Sequence, residues 1–281
     1  NVVILVTGVI GNGLVIFVTG YKMKTTVNSI WFLNLATADY IFIPFLVYNI
    51  VDVFDSGVSL SDLMYKCGYF VFVLNMFASV FFLTVISLDR CLCTWVVVWA
   101  QNKRTLVKAR IICVFVWLSS ICCSIPYVIV LCEPKDAFRS YEHYTNVHLS
   151  VFIYRFMVGF LIPFLISASS YIAIGVRVKR FKRGNQLRSF RVIISVILAF
   201  FICWFPYYVL QLCYISAIKN SWSDSVQKGI EAAGPFVICL SYLNSCLNPI
   251  LYVFMCDEYK TKLKKSLLLV LEGAFTEDHL G

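Results

Sequence analysis

Residues 68–88 read GYFVFVLNMFASVFFLTVISL, a stretch without a single charged side chain. At 1.5 Å of rise per residue, a helix of this length crosses the roughly 30 Å hydrocarbon layer of a bilayer. We therefore predict a transmembrane helix here, bounded by Cys67 at one end and by Asp89-Arg90-Cys91 at the other. Asn75 and Ser79 lie four residues apart and so share one face of the helix. Polar groups at this depth need partners on neighbouring helices, which indicates a bundle.

The composition of the whole chain is that of an integral membrane protein. Of its 281 residues, 60% are hydrophobic and only 14% are charged, whereas about 25% are charged in soluble domains. Seven apolar runs have the length of one crossing, so we predict one all-α domain, a seven-transmembrane-helix bundle. The predicted spans are about 2–20, 29–51, 67–99, 109–131, 148–176, 190–217 and 230–256. A short amphipathic helix is predicted at about 257–271, with apolar residues on one face and lysines on the other.

The basic residues are distributed unevenly between the predicted spans. Only five lie in one set of connections: Lys66, Lys135, Arg139, Lys219 and Lys228. The other set contains most of the rest, namely Lys22, Lys24, Lys103, Arg104, Lys108, Arg110, the run 177–191 and Lys260, Lys262, Lys264 and Lys265. Lysine and arginine favour the cytosolic side, so we expect the start of the chain outside and the tail in the cytosol. The net charge of +9 then reflects contact with anionic membrane lipids and acidic protein surfaces, and indicates no nucleic-acid partner.

The twelve cysteines resemble a disulfide framework only until they are placed on the spans. Ten fall within the spans or at their cytosolic ends, where a thiol behaves as a small apolar group. Cys67 and Cys132 are predicted at the outer, oxidising surface. The economical interpretation is a disulfide between them, and the alternative is two free thiols.

Several polar side chains are predicted at mid-depth in the membrane. Asp39 lies about a third of the way into the second span, where an ionisable group is costly and is by default functional. We expect it to meet other polar groups at the same depth: Asn75, Ser79, Asn244 and Asn248. Such a cage of oxygens suits a monovalent cation, namely a sodium ion. The alternative is a protonated Asp39 in a polar knot.

Arg155 is the most informative residue of the fifth span. It lies about seven residues inside the span, roughly 10 Å along the helix. No acidic residue of the spans is obviously placed at the same depth to neutralise it. Three interpretations remain open: an anionic ligand in a cavity between helices, an acid from an outer loop, or snorkelling of the side chain to the outer surface.

Two of the predicted helices contain a proline at mid-depth. Pro206 in the sixth span removes a backbone hydrogen bond and is predicted to kink the helix just beyond the bulky Trp204. Tyr207 and Tyr208 follow directly. The seventh span repeats the pattern in Asn248-Pro249, where the asparagine can take up a freed backbone group. Two such helices indicate a bundle built to move.

Read together, these motifs resemble the signature of the rhodopsin-like, or class A, G-protein-coupled receptors, in order along the chain. The residues that carry the resemblance are Gly11-Asn12, Leu35-Ala-Thr-Ala-Asp39, Asp89-Arg90-Cys91, Trp117, Pro163 with Tyr171, Cys203-Trp204-x-Pro206 and Asn248-Pro249-x-x-Tyr252. Further stretches, such as residues 74–79 and 98–105, resemble the chemoattractant branch. That branch includes the formyl-peptide and chemerin receptors and, closest in wording, the chemoattractant-type prostaglandin D receptor.

The resemblance implies roles for individual residues. Arg155 and Tyr207 are expected to contact an anionic chemoattractant, in the first place a prostaglandin D-type lipid acid. The alternative is the carboxyl terminus of a chemoattractant peptide of the chemerin, formyl-peptide or complement type. We expect the same pocket to be lined by Tyr208, Trp204, Phe72 and Met76. The position of the acid that formyl-peptide receptors carry is Val73 here, which argues against a formyl-peptide pocket.

The resemblance also implies a signalling route at the opposite end. The expected activation switch comprises Asp89, Arg90, Tyr171, Pro206, Asn248, Pro249 and Tyr252. In this scheme Asp89 releases Arg90, and an inner cleft opens for an inhibitory G protein and, later, for arrestin. No cofactor is expected besides the sodium ion at Asp39 as an allosteric ligand.

Other classes of function fit the sequence less well. His143, His148 and His279 all lie outside the core of the spans, and no His-Glu-x-x-His motif occurs, which argues against an intramembrane hydrolase. Residues 230–256 contain no lysine for the Schiff base of an opsin. A receptor-like decoy that binds ligand without signalling remains an alternative, since Val97 replaces the usual proline of the second inner loop.

Overall fold

The computed structural model describes residues 2–54, 62–132, 141–181, 186–220, 222–255 and 261. Its elements are helices, and three of the first four are long. They are α1 (Val2–Phe17) with a wider π-helical turn (Val18–Lys22), α2 (Val27–Phe54), α3 (Asp62–Trp95) and the short α4 (Val97–Lys103). Then follow α5 (Leu106–Cys132), α6 (Tyr141–Phe156), a second π-helical turn (Met157–Leu161), α7 (Ile162–Phe181), α8 (Gln186–Lys219) and α9 (Asp224–Met255).

These elements form seven long rods, because α6, the second π-turn and α7 run on as one. By length and composition, six of the rods can cross a membrane within the part of the chain that the structure describes. The remaining rod, α2, has 28 residues, about 42 Å at 1.5 Å per residue. It packs between α1 and α3. We call the two ends of the bundle the Arg155 end and the Arg90 end.

Helix α3 is the central rod of the bundle. It packs against α2, α5, α7 and α8, while α1 closes the ring against α2 and α9. Most of its middle is therefore buried, with Val73, Met76, Phe77 and Phe82 among the most enclosed side chains. This position explains why the third span carries polar residues that face neighbouring helices rather than lipid.

The outer faces of the rods are apolar. On α5, the exposed residues Ile111, Val114, Phe115 and Leu118 recur at helical spacing and form one stripe. In water such a continuous apolar surface would be costly. It is the surface expected of a helix that faces lipid.

Both ends of α3 differ from the prediction. The helix begins at Asp62 rather than at 67, and it ends at Trp95 rather than at 99. The backbone leaves the helical region at Val96, with φ −119° and ψ 66°, and α4 follows. The indole of Trp95 donates a hydrogen bond to the carbonyl of Ala173 at 3.1 Å, and Arg177 donates to the carbonyl of Thr94 at 3.0 Å. Contacts with α7 thus accompany the end of the helix, although the apolar sequence continues.

Two glycines allow unusually close packing. A Cβ at Gly11 of α1 would lie 2.9 Å from the ring of Pro249 in α9. A Cβ at Gly159, in the second π-turn, would lie 2.9 Å from Cε of Met76. Small residues therefore bring α1 against α9 and the π-turn against α3. The predicted amphipathic helix at 257–271 lies outside the described residues, apart from residue 261.

Candidate functional site

Arg155 lies in the last turn of α6 and is buried, with 2% of its surface exposed. One terminal nitrogen of its guanidinium donates a hydrogen bond to the hydroxyl of Tyr207 at 2.9 Å. The side chain therefore does not snorkel to the surface, and that interpretation is wrong. Its charge is held inside the bundle, where an unpaired charge is costly.

Three tyrosine rings surround the guanidinium. Its central carbon lies 4.7 Å from the ring centre of Tyr127, 4.7 Å from that of Tyr207 and 5.8 Å from that of Tyr208. Cation–π contacts of this kind stabilise an arginine that has left water. The hydroxyl of Tyr127 donates to the carbonyl of Val151 at 2.6 Å, which ties its ring to α6. Tyr127 was not predicted, because its role depends on how α5 approaches α6.

Within the described residues, Arg155 meets no carboxylate. Among the described residues, Arg104 and Asp89 form an ion pair, and this pair lies at the other end of the bundle. The buried Nε of Arg155 has no hydrogen-bond partner in the described part of the chain. No acid from the described parts of the outer loops neutralises the guanidinium, and the interpretation as an anion-binding residue stays a prediction.

Arg155 faces a cavity of about 440 Å³, which we call the Arg155 cavity. A cavity of this volume is in the range of ligand-binding pockets. Tyr127, His148, Phe152, Gln211 and Tyr214 contribute to its walls. His148 lies seven residues before Arg155, two helical turns nearer the end of the bundle, so both face the same side of α6.

The remaining predicted pocket residues form an aromatic floor below the arginine. The ring of Phe72 lies 5.3 Å from that of Trp204 and 5.7 Å from that of Tyr207, between ring centres. The hydroxyl of Tyr208 contacts the sulfur of Met76 at 3.3 Å. The structure thus brings the predicted pocket residues together, and Pro206 lies in α8 between Trp204 and Tyr207 in the sequence.

Asp39 lies at the centre of a buried polar network in the middle of the bundle. One carboxylate oxygen accepts hydrogen bonds from Asn75 at 3.0 Å and from Ser79 at 3.5 Å. The other oxygen accepts one from Asn248 at 2.7 Å. Each carboxylate oxygen thus meets one amide donor, while the Ser79 hydroxyl can donate or accept, so this geometry accommodates both an ionised and a protonated Asp39.

The residues of this network fit a sodium ion by the chemistry of their donors. Carboxylate, hydroxyl and amide oxygens are the ligands that hard cations prefer. Ser245, which was not predicted, joins the network through a hydrogen bond to the side-chain oxygen of Asn75 at 3.4 Å. Asn244 is buried nearby, but its side-chain nitrogen has no partner among the described residues. Sodium binding stays a prediction.

At the Arg90 end, Asp89 is paired differently from the predicted switch. Arg104 binds both of its oxygens, through Nε at 2.8 Å and through a terminal nitrogen at 2.7 Å. Arg90 instead donates to the side-chain oxygen of Asn28 on α2, and Arg104 contacts the same oxygen. We call these four residues the Arg104 clamp. Arg104 and Asn28 were not predicted, since nothing in the sequence indicates that α2 and the α4–α5 connection meet here.

The structure describes the other predicted switch residues in less detail. Tyr171 is buried on α7, and Pro249 packs on Gly11. Tyr252 lies in α9, but its side chain is outside the described residues. Cys67 and Cys132, at the Arg155 ends of α3 and α5, are both free and exposed in this structure. Their disulfide stays a prediction.

The fold and these sites define a class of membrane receptor. The sequence model of the 7 transmembrane receptor (rhodopsin family) matches residues 11–252. The chain belongs to this family. This confirms the predicted seven-helix fold class and the resemblance to the rhodopsin-like receptors. It is therefore a multi-pass membrane receptor with an extracellular ligand and a G-protein partner, and it is not an enzyme.

Similar proteins lie in the chemoattractant branch. The chain is 41% identical to the C3a anaphylatoxin chemotactic receptor of Danio rerio, over 96% of this chain and 75% of that one. It is 35% identical to the chemerin-like receptor 1 of Homo sapiens, over 96% and 77%. It is also 35% identical to formyl peptide receptor 2 of Mus musculus, over 96% and 82%. These names refer to C3a, chemerin and formyl peptides, and they give no support to the predicted prostaglandin D-type lipid acid.

Proposed function

We propose that this chain is a plasma-membrane receptor for a chemoattractant peptide, whose terminal carboxylate binds Arg155. The buried guanidinium of Arg155, without a carboxylate partner in the described residues and facing a 440 Å³ cavity, is the observation that carries the proposal. A ligand carboxylate would supply the missing counter-charge. The names of the three relatives above favour a peptide over a lipid acid.

Tyr207 completes the recognition of the carboxylate. Its hydroxyl accepts a hydrogen bond from Arg155 and so keeps its own proton available for a ligand oxygen. A carboxylate can then receive charge-assisted bonds from the guanidinium and a further bond from the phenol. The tyrosine rings exclude water from the contact, which strengthens it.

The distribution of lysine and arginine supports the orientation of the receptor. The Arg90 end carries most of the basic residues that flank the spans, which favours its placement in the cytosol. The Arg155 cavity then opens outside the cell. The start of the chain is accordingly extracellular and the tail cytosolic.

Signalling requires that the peptide bind the active state more tightly than the resting state. The aromatic contacts supply a route for this preference, since the ring of Tyr207 lies 5.7 Å from that of Trp204, and Trp204 lies 6.0 Å from Phe200. Pressure on these rings would move α8 about Pro206 and open the Arg90 end to an inhibitory G protein, and later to arrestin. Sodium at Asp39 would favour the resting state.

The proposal is tested in cells that report inhibition of cyclic AMP synthesis. Peptides ending in the carboxyl-terminal segments of C3a and chemerin, and formylated peptides, are applied as free acids and as carboxyl-terminal amides. We expect free acids to act and amides to be weaker by roughly 10- to 100-fold. The Arg155→Ala variant should remove this difference.

Gln211→Ala serves as the matched control, because Gln211 lines the same cavity and is not among the hydrogen-bond or ring partners of the guanidinium in the described residues. It should keep the preference for the acid. Equal potency of acids and amides on the unmodified receptor would refute the role of Arg155. Binding of a labelled free acid without any G-protein response would instead favour the decoy interpretation.

A further inference from the structure

A second, smaller cavity of about 210 Å³ adjoins the Arg155 cavity. We call it the aromatic lobe. Phe72, Tyr207, Ile238 and Tyr242 contribute to its walls, and Tyr65, Tyr69 and Gln211 line both cavities. Its volume is below the roughly 300–1,000 Å³ of cavities that enclose a whole small ligand. It therefore suits one group of a larger ligand.

The walls of the lobe define the chemistry of that group. The ring centres of Phe72 and Tyr242 lie 6.0 Å apart at 82°, so an edge of one ring faces the other. Tyr242 also contacts Phe42 at 5.1 Å, which fixes its ring on the side of α2. Every described residue that lines the lobe is uncharged. Such a surface favours an aromatic or aliphatic group.

A single side chain separates the lobe from Arg155. The guanidinium lies 4.7 Å from the ring centre of Tyr207, and that ring lies 5.7 Å from Phe72. The two cavities are continuous at Tyr65, Tyr69 and Gln211, which line both. The carboxylate and the side chain of a terminal residue leave the same Cα atom, so one can enter each cavity. A ligand terminus can therefore occupy both cavities at once.

We propose that the aromatic lobe binds the side chain of the ligand's last residue, and that this residue is apolar and large, of the class of phenylalanine or leucine. This inference rests on the proposed function, because it places the terminal carboxylate on Arg155. A terminal lysine or arginine is disfavoured, since its charge would leave water beside uncharged walls and near a fixed guanidinium. Specificity thus comes from Ile238, Tyr242 and Phe72, and affinity for the carboxylate comes from Arg155.

The test uses decapeptide mixtures in which only the last residue is fixed, as Phe, Leu, Ala or Lys. Each mixture is prepared as the free acid and as the amide, and inhibition of cyclic AMP synthesis is measured in cells with and without the receptor. Burial of a large apolar side chain should favour Phe over Ala by roughly 10- to 100-fold. Lys should be the weakest of the four.

Two variants of one residue assign this preference to the lobe. Ile238→Trp fills the lobe and should bring the Phe and Ala mixtures to within about threefold of each other, while free acids stay better than amides. Ile238→Ala enlarges the lobe and should make a mixture ending in Trp at least as potent as that ending in Phe. Ile238 is 37% exposed, and Ile238→Ala removes only part of its side chain. This variant therefore still tests the lobe if Ile238→Trp does not reach the cell surface.

Val130→Trp is the matched control. Val130 lines the Arg155 cavity and is not part of the lobe. This variant should weaken all free acids alike and preserve the Phe-to-Ala ratio. Equal potency of the mixtures whatever their last residue, with acids still preferred over amides, overturns the role of the lobe but not the proposed function. Silence of every free-acid mixture overturns the proposed function as well.

Discussion

A guanidinium between aromatic rings is not equivalent to a point charge. Arg155 contacts Tyr127 and Tyr207 through a flat, delocalised group and donates to the Tyr207 hydroxyl from one of its nitrogens. An ammonium group has no plane to pack between the rings, and it is more strongly hydrated. The shape of the cation therefore matters as much as its charge.

The Arg155→Lys variant separates shape from charge. We expect free-acid peptides to lose roughly 10- to 100-fold in potency, because the lysine keeps the charge but loses the planar fork. Concentration–response curves for cyclic AMP inhibition give the shift. Tyr207→Phe, which keeps the ring and removes only the hydroxyl, should cost less, roughly 3- to 10-fold. Full activity of the lysine variant would mean that charge alone suffices.

Gly159 is the second residue whose chemistry can be tested directly. A methyl group there would lie 2.9 Å from Cε of Met76, 3.1 Å from the ring of Phe77 and 3.3 Å from the hydroxyl of Tyr208. Overpacking of this kind costs about 1–3 kcal/mol. Gly159→Ala should therefore lower the temperature of thermal inactivation of the receptor in detergent.

Gly229→Ala is the control for this prediction. Gly229 lies in α9, and a Cβ at that position would meet nothing within 4 Å. Alanine favours a helix over glycine by about 0.5–1 kcal/mol, so this variant should be unchanged or slightly more stable. A Gly159 variant that is as stable as the Gly229 variant would show that the π-turn yields to the added methyl group.

At the scale of residues, the sequence predicts a contact correctly where the depth of two side chains in the membrane is enough to make them partners. Asp39, Asn75 and Asn248 were predicted to meet, because polar groups at equal depth in lipid must find one another, and the structure joins them. The sequence does not predict the contacts of Tyr127 and Arg104. Their roles depend on the rotation and lateral approach of two helices, which no local pattern records.

At the scale of elements, the Arg104 clamp joins three parts of the chain. Asn28 lies on α2, Asp89 and Arg90 on α3, and Arg104 in the connection between α4 and α5. Partial burial by itself would lower the pKa of Arg104, but the hydrogen bonds and charge of Asp89 more than offset this and raise the pKa. The arginine therefore stays charged throughout the physiological range, and the clamp does not respond to pH through this group.

Removal of the clamp should raise signalling without ligand. In Arg104→Gln the buried carboxylate of Asp89 loses its bidentate partner, which destabilises the arrangement that holds α2 and α3 together at the Arg90 end. A change of about 1.4 kcal/mol would shift the ratio of active to resting receptor tenfold. Basal inhibition of cyclic AMP synthesis, normalised to receptor at the cell surface, measures the effect.

Lys103→Gln controls for the loss of one positive charge in the same connection, since Lys103 is exposed. It should leave basal signalling unchanged. A fall in basal and ligand-driven signalling in Arg104→Gln would show that the clamp supports the active state instead.

The ends of elements were less predictable than their existence. An uncharged run fixes where a helix must cross the membrane, but residues 96–99 are also apolar and the third span still ends at Trp95. The contacts that accompany this end lie outside the run, between Trp95 and Thr94 of α3 and Ala173 and Arg177 of α7. Contacts between distant helices leave no mark in the local sequence, so the apolar pattern places the end of this helix too late.

At the scale of the whole molecule, the Asp39 network lies between the two functional ends. It links α2, α3 and α9 through Asp39, Asn75 and Asn248. An ion bound here would contact all three helices at once, and it would therefore favour one arrangement of the bundle over another.

Linkage makes this arrangement testable. If sodium favours the resting state, it must lower the affinity for an activating peptide by the same factor by which the peptide lowers the affinity for sodium. Raising sodium from about 5 to about 150 mM, with total ionic strength held constant by a bulky cation to keep screening fixed, should weaken binding of a labelled free-acid peptide by roughly 5- to 20-fold.

Asp39→Asn should abolish this sodium effect, because the amide keeps the size of the side chain and removes its charge. Ser29→Ala is the control, since Ser29 is a buried hydroxyl of the same helix that bonds within its own turn, to Thr26 at 2.9 Å. It should retain the full dependence on sodium. A sodium effect that persists in Asp39→Asn would place the ion elsewhere, and peptide binding independent of sodium in the unmodified receptor would refute the sodium site and favour the alternative, a protonated Asp39 in a polar knot.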